Sequence, residues 1–372
     1  MVQIKRARIH IGDGKVLESA DIKVKDGKIQ SIGVDLPVEE ERVIEGAGME
    51  LFPGFIDPVS GYGCTGLGTR TKDNDEVSDP ITPRVKARYA FSREEIAVEK
   101  LEEIGMTAIC ASPGSTNIIG GEMALFQTCG ANPARMLRVE TAALRGSVTR
   151  MVMRTYEPRK VRPITRMGIF MELREYLRDL KQKKDLSSAE EMVLQGEIPL
   201  IMHAETVAEI IALLEITEEA GITPVLFGAY EFDRCLDLLL RKRVPVIMGE
   251  LTELSKGNYF STDLKKVQDF FAEDIPISYS LSSDRTEGRV KYLWNAMEYY
   301  RAGISSEQVL QMMTQNAARI LRVQGDHGTL EVGKRADLVM YKNHPIETYD
   351  AQAVLTMIGG EVVFEREGLL SC

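Results

Sequence analysis

Histidine is scarce in this chain, with four copies among 372 residues, at positions 10, 203, 327 and 344. A catalytic centre built on several imidazoles therefore has little to draw on. The five cysteines, at 64, 110, 129, 235 and 372, form no Cys-x-x-Cys pair, and their odd number reads as reduced thiols of a cytoplasmic protein. No apolar run is long enough to span a bilayer. The alternation of charged and apolar residues from Met1 to His10 lacks the apolar core of a secretion signal. A net charge of −10 argues against nucleic acid and against anionic membrane surfaces as partners. The glycine-rich nucleotide fingerprint is also missing, which speaks against a doubly wound open sheet.

What is present is strand-like at both ends and mixed in the middle. Val2 and Ile4, then Ile9 and Ile11, alternate with polar residues, and Asp13-Gly14 and Asp26-Gly27 are hairpin signals. The pattern returns at Ala336–Tyr341, Val354–Ile358 and Glu361–Phe364. Between the ends, apolar runs at Thr107–Ala111, Ile198–His203, Thr223–Phe227, Val244–Met248 and Ile275–Leu281 read as strands buried on both faces. Capping-box patterns at Ser92/Glu95 and Ser305/Gln308 predict helices between strands. This predicts an α/β chain: a (β/α)8 barrel over 51–324, beside a small β-sandwich joining 1–50 to 325–372.

Several separated segments add a resemblance. They are Pro53-Gly-Phe-Ile-Asp57, Asp79-Pro-Ile-Thr-Pro83, Pro113-Gly-Ser-Thr-Asn-Ile-Ile-Gly-Gly121, Thr165-Arg-Met-Gly168 and Glu197-Ile-Pro-Leu200 leading to His203. Thr314–Leu321 and Gly328–Val339 complete the set. In this order and spacing the chain resembles the amidohydrolase superfamily, in its imidazolonepropionase-like and prolidase-like group. The resemblance implies an amidohydrolase-type TIM barrel and hydrolysis of non-peptide C–N bonds with one or two metals held at the strand ends.

Carried over position by position, the resemblance exposes a deficit. Where the family has x-His-x-His after the first barrel strand, this chain has Val59 and Gly61. His203 is kept on the fifth strand, Phe227 stands where the sixth carries histidine, and Asp284 is kept on the eighth, followed by Arg285. No fourth-strand ligand is assignable between Leu137 and Pro163. Catalytic zinc needs about three protein ligands. His203 and Asp284 are the residual candidates, and Cys64, Glu205 and Glu250 are possible stand-ins. The reading therefore expects no cofactor, with a single zinc or other divalent metal as the alternative.

Catalytic roles, if any, fall to His203 and Asp284. Gly114, Ser115, Asn117 and Gly120 are candidates to line the pocket, because a glycine-rich loop lets backbone N–H groups approach a ligand. Arg166 is the candidate to pair with a carboxylate on a small molecule. Three functions stay open: a non-catalytic or altered member that binds a small molecule or a homologous or paralogous subunit; a single-metal hydrolase of a cyclic amide or imidazolone-like ring; and metal-independent acid–base chemistry.

Overall fold

Five strands open the chain: β1 (Val2–His10), β2 (Val16–Lys25), β3 (Lys28–Gly33), β4 (Arg42–Glu45) and β5 (Glu50–Pro53). The computed structural model describes residues 1–38, 42–65, 72–251, 262–282 and 288–366. β1, β2 and β3 form an antiparallel meander. Its second turn is the predicted Asp26-Gly27, with φ of 50° and 78°. Positive φ at both central residues matches the twist of the flanking strands.

The barrel strands follow: β6 (Phe55–Ser60), β7 (Met106–Ala111), β8 (Ile119–Gln127), β9 (Leu137–Ser147), β10 (Leu200–Ala204), β11 (Val225–Gly228), β12 (Val246–Met248) and β13 (Ile277–Tyr279). They hydrogen-bond in chain order into one eight-stranded sheet. Side chains bring its two edges together. Ser280 Oγ bonds the Asp57 carboxylate and reaches Val59 O at 2.6 Å, and Tyr292 donates to Ile56 O at 3.0 Å. Period-two alternation sends Ile201, Val225, Phe227 and Ile247 inward, where they pack with Val59, Met123 and Leu125. Leu200, Leu226, Val246 and Met248 face the surrounding helices.

One departure from a regular (β/α)8 barrel matters for the site. β8 runs antiparallel to both β7 and β9. The only helix between β7 and β9 is the single turn Pro133–Met136. The third strand therefore descends from the barrel mouth, and the residues joining β7 to β8 lie at the mouth as a strand-to-strand connection.

The last strands, β14 (Leu338–Lys342), β15 (Gln352–Ile358) and β16 (Glu361–Glu365), return to the first unit. β14 pairs with β5, giving the order β16-β15-β14-β5-β1-β2-β3, with β4 on β1. The β unit expected as a sandwich is thus a single eight-stranded sheet by its hydrogen bonding, and it takes in residues 50–53. Its own apolar core includes Ile4, Ile22, Leu51, Leu338 and Met357.

The predicted capping boxes divide. Ser305 and Gln308 bond reciprocally at the start of the helix Ser306–Met313. Ser92 and Glu95 start no α-helix; the segment turns irregularly and ends in a short tight turn at Glu102–Ile104. Glu95 instead accepts from the Thr65 amide at 3.0 Å, and Ser92 donates to Glu94. Ile96, which would open the apolar face of a helix starting there, is 71% exposed.

Candidate functional site

β9 and β10 place two polar side chains inside an otherwise apolar barrel. On β9, Ala143 belongs to the inner core, so alternation turns Arg145 inward two residues later. On β10, Ile201 is inward and His203 follows it. The ladder sets Arg145 beside Ile201, and His203 between Ser147 and Phe227.

Arg145 is 1% exposed. Its Nη1 donates to Gly146 O at 2.9 Å and Ile201 O at 3.3 Å, and its Nη2 donates to Ser115 Oγ at 3.0 Å. The guanidinium lies over the Phe227 ring, 4.6 Å from its centre. Nε has no acceptor among the described residues. Burial pulls the group down to about 9, so it stays charged at neutral pH.

Ser115 Oγ is also 2.9 Å from His203 Nδ1. Arginine can only donate, so the hydroxyl accepts from Arg145 and directs its one hydrogen to His203 Nδ1. The remaining imidazole hydrogen then sits on Nε2, facing Glu205 Oε1 at 3.4 Å. Burial holds His203 below its ordinary value; Glu205 opposes that shift and the Arg145 charge adds to it. The ring packs against Phe227 with centres 4.7 Å apart. Gly228, at φ +85°, keeps the space clear, since a Cβ there would lie 2.7 Å from His203 Cδ2.

The residues expected to line the pocket separate. Ser115 joins His203. Asn117 is buried with its amide engaged by the protein: Nδ2 donates to Glu76 O and Thr82 Oγ1, and Oδ1 accepts from Tyr156 OH at 2.6 Å. Gly114 is closely packed, since a Cβ there would lie 2.0 Å from Asp75 Oδ1. Gly120 lies on β8 against Pro113. Arg166 is exposed at the start of the helix Arg166–Leu180 and lines a cleft of about 430 Å³ with Arg150, Met153 and Thr206, apart from the Arg145–Ser115–His203 group. Asp284 and Arg285 lie outside the described residues.

The possible stand-in ligands also separate. Cys64 is fully buried, and burial pushes its thiol far above the usual range, which disfavours the thiolate a metal needs. Glu250 pairs with Lys291 at 3.0 Å. Glu205 faces His203. Asp57, retained from the Pro53–Asp57 segment, is buried with Oδ2 unpartnered among the described residues, and burial raises its carboxyl to about 7.

Arg145 was missed by sequence reasoning. The signal was an arginine in the run Thr141-Ala-Ala-Leu-Arg145, on the same alternation as small inward residues.

The comparisons agree with this architecture. A family described as the Amidohydrolase family matches residues 282–364. Amidohydrolase tasK of Hapsidospora irregularis is 28% identical over 169 residues, which take in 40% of this chain and 17% of that protein's length. The crystal structure of an amidohydrolase from Thermotoga maritima MSB8 superposes with a TM-score of 0.90 at 26% identity, covering 98% of this chain and all of that one (100%). A Xaa-Pro dipeptidase with methionine bound in its active site matches at a TM-score of 0.59 and 12% identity, covering 98% and 100%, a likeness of fold alone. In its barrel and its terminal sheet the chain shares the fold of an amidohydrolase over nearly its whole length, and its last part matches the Amidohydrolase family.

Proposed function

We propose that the barrel mouth binds a small anionic molecule, with a carboxylate as the recognised group, on the Arg145 cation rather than on a metal. One observation carries the reading: a buried guanidinium whose hydrogen-bond partners among the described residues are all neutral. A buried charge left without a counter-charge is costly, and an anionic ligand within reach of the free Nε would relieve that cost. The residue that would hold a carboxylate is thus the buried Arg145 rather than the exposed Arg166.

Among the described residues, those at the family's ligand positions do not fit the metal that the resemblance implies. Val59 and Phe227 offer no lone pair, and Cys64 is held as a thiol. His203 Nδ1 is engaged by Ser115. Unit charges 4 Å apart interact by about 4 kcal/mol at an effective dielectric of about 20. A dication on His203 would stand one hydroxyl away from Arg145 and be repelled on that scale. A second reading, metal-independent proton transfer, is favoured by the Ser115–His203–Glu205 chain, in which a neutral imidazole lies between a hydroxyl and a carboxylate.

The test is a thermal-shift screen of small mono- and dicarboxylates beside their amides, followed by calorimetry on the hits. Carboxylates should bind and amides should not. Arg145→Met should weaken binding at least tenfold, about 1.4 kcal/mol. Unchanged affinity in that variant would refute the proposal.

A further inference from the structure

A second cluster of ionisable groups lies away from the barrel mouth, where the terminal sheet meets the barrel helices. His10 ends β1, Glu50 begins β5, His344 follows β14, and Glu307 stands in the first turn of the helix Ser306–Met313. His10 is stacked on Phe52 with ring centres 4.4 Å apart, and His344 meets both rings edge-on. One ligand atom from each of His10, Glu307 and His344 lies within 4.8 Å of the others.

We infer that His10, His344 and Glu307 form a binding site for a single zinc-like divalent cation that ties the terminal sheet to the barrel. Two imidazoles and a carboxylate are a donor set suited to zinc, with one position left for water or the second carboxylate oxygen. Two buried atoms point to a missing occupant: His344 Nε2 and Glu307 Oε2 have no hydrogen-bond partner among the described residues. His344 itself is 6% exposed. The outer partner of such a site is present as well. Glu50 Oε2 lies 2.7 Å from His10 Nε2, the carboxylate–imidazole pairing that orients a ligating histidine and leaves its other nitrogen for the metal.

Two adjustments accompany binding. His10 Nδ1 and Glu307 Oε1, now 2.5 Å apart, must separate, by somewhat under ~1 Å for tetrahedral bonds near 2 Å. His344 Nδ1 accepts from the Ile346 amide at 3.2 Å, so its ring hydrogen must move from Nε2 and that long hydrogen bond is given up. Without a cation, the same groups hold a proton between His10 and its two carboxylates. The two occupants are separable by experiment.

Full-length protein is stripped with a chelator and titrated with zinc, with bound metal measured by elemental analysis and unfolding followed by circular dichroism. One zinc per chain and a rise of several degrees in the unfolding midpoint are expected, since an ion bound only to the folded state stabilises it. His344→Gln and Glu307→Gln should each weaken binding at least tenfold while keeping the folded spectrum; His203→Gln, in the barrel, should leave the stoichiometry unchanged. Cobalt in place of zinc should give tetrahedral absorption bands that His344→Gln removes. Failure to bind zinc, or binding lost in His203→Gln and kept in His344→Gln, would overturn the inference. Glu307→Gln, whose side chain is 21% exposed on the first turn of its helix, keeps the test decisive if the histidine variant misfolds.

Discussion

Phe227 carries the guanidinium of Arg145 on its face, 4.6 Å from the ring centre, at the strand position where the family resemblance led to a histidine. A quadrupole thus faces the charge where an imidazole would have faced a metal. Removing both partners separates their effects. Phe227→Leu should lose about 2–4 kcal/mol of unfolding free energy through lost volume and lost cation–π attraction. Arg145→Met should gain about 1–4 kcal/mol, because it removes a buried charge that lacks a counter-ion. In the double variant the Phe227→Leu loss should shrink by about 1–2 kcal/mol, read by urea titration as a coupling energy.

Asp57 sets a pH dependence. Its carboxyl is raised from 3.8 to about 7, first by burial and against the opposing bond from Ser280. The folded chain keeps a proton that the unfolded chain releases above about pH 4. This contribution to stability is therefore complete below that pH and is lost as pH rises to about 7. About three units at ~1.4 kcal/mol each give a loss of roughly 4 kcal/mol. Asp57→Asn should flatten the fall in unfolding free energy between pH 4.5 and 7.5; an equally steep fall in the variant would show that Asp57 does not titrate there.

His203 has the opposite sign. Burial lowers its folded value below 6.5, so the unfolded chain binds the extra proton first. The stabilising term is full above about pH 6.5 and falls away as pH drops toward the folded value. Nitrogen-15 NMR of the ring should find a neutral imidazole at pH 6.5 with hydrogen on Nε2. Ser115→Ala should make the ring's tautomer mixed, since the bond to Nδ1 is gone.

Gly228 is a packing requirement of the same site. A methyl group there would press on His203 from 2.7 Å in a backbone region unfavourable for alanine. Gly228→Ala should cost about 2 kcal/mol or more and shift the His203 ring resonances. A variant with native stability and native resonances would show that the ring has room to spare.

The fold was legible because its signals were local and repeated. Ile198–His203 and Val244–Met248 are nearly unbroken apolar runs, the pattern of strands buried on both faces, so the strands were legible while the inward direction of His203 was not. The hairpin at Asp26-Gly27 was equally plain. The reversal of β8 was not, since an antiparallel stave buried on both faces has the same apolar run as a parallel one. Ser92 misled because Glu95 found a distant partner in the Thr65 amide. Arg145 was hidden by its charge: arginines usually mark surfaces, and only three-dimensional closure shows this one enclosed.

The reversed stave also constrains how this protein's relatives could diverge. The residues bearing Ser115 are anchored by hydrogen-bonded ladders on either side, and are braced by Asn74 on Ser112 O and Thr116 on Asp75. Inserting residues there would slip two registers at once. Beyond β9 and β10 the chain passes instead into helices at the rim, where extra turns can be accommodated. Diversification of ligand preference within this lineage should therefore concentrate on that side of the opening, with the serine-bearing corner kept nearly constant in length.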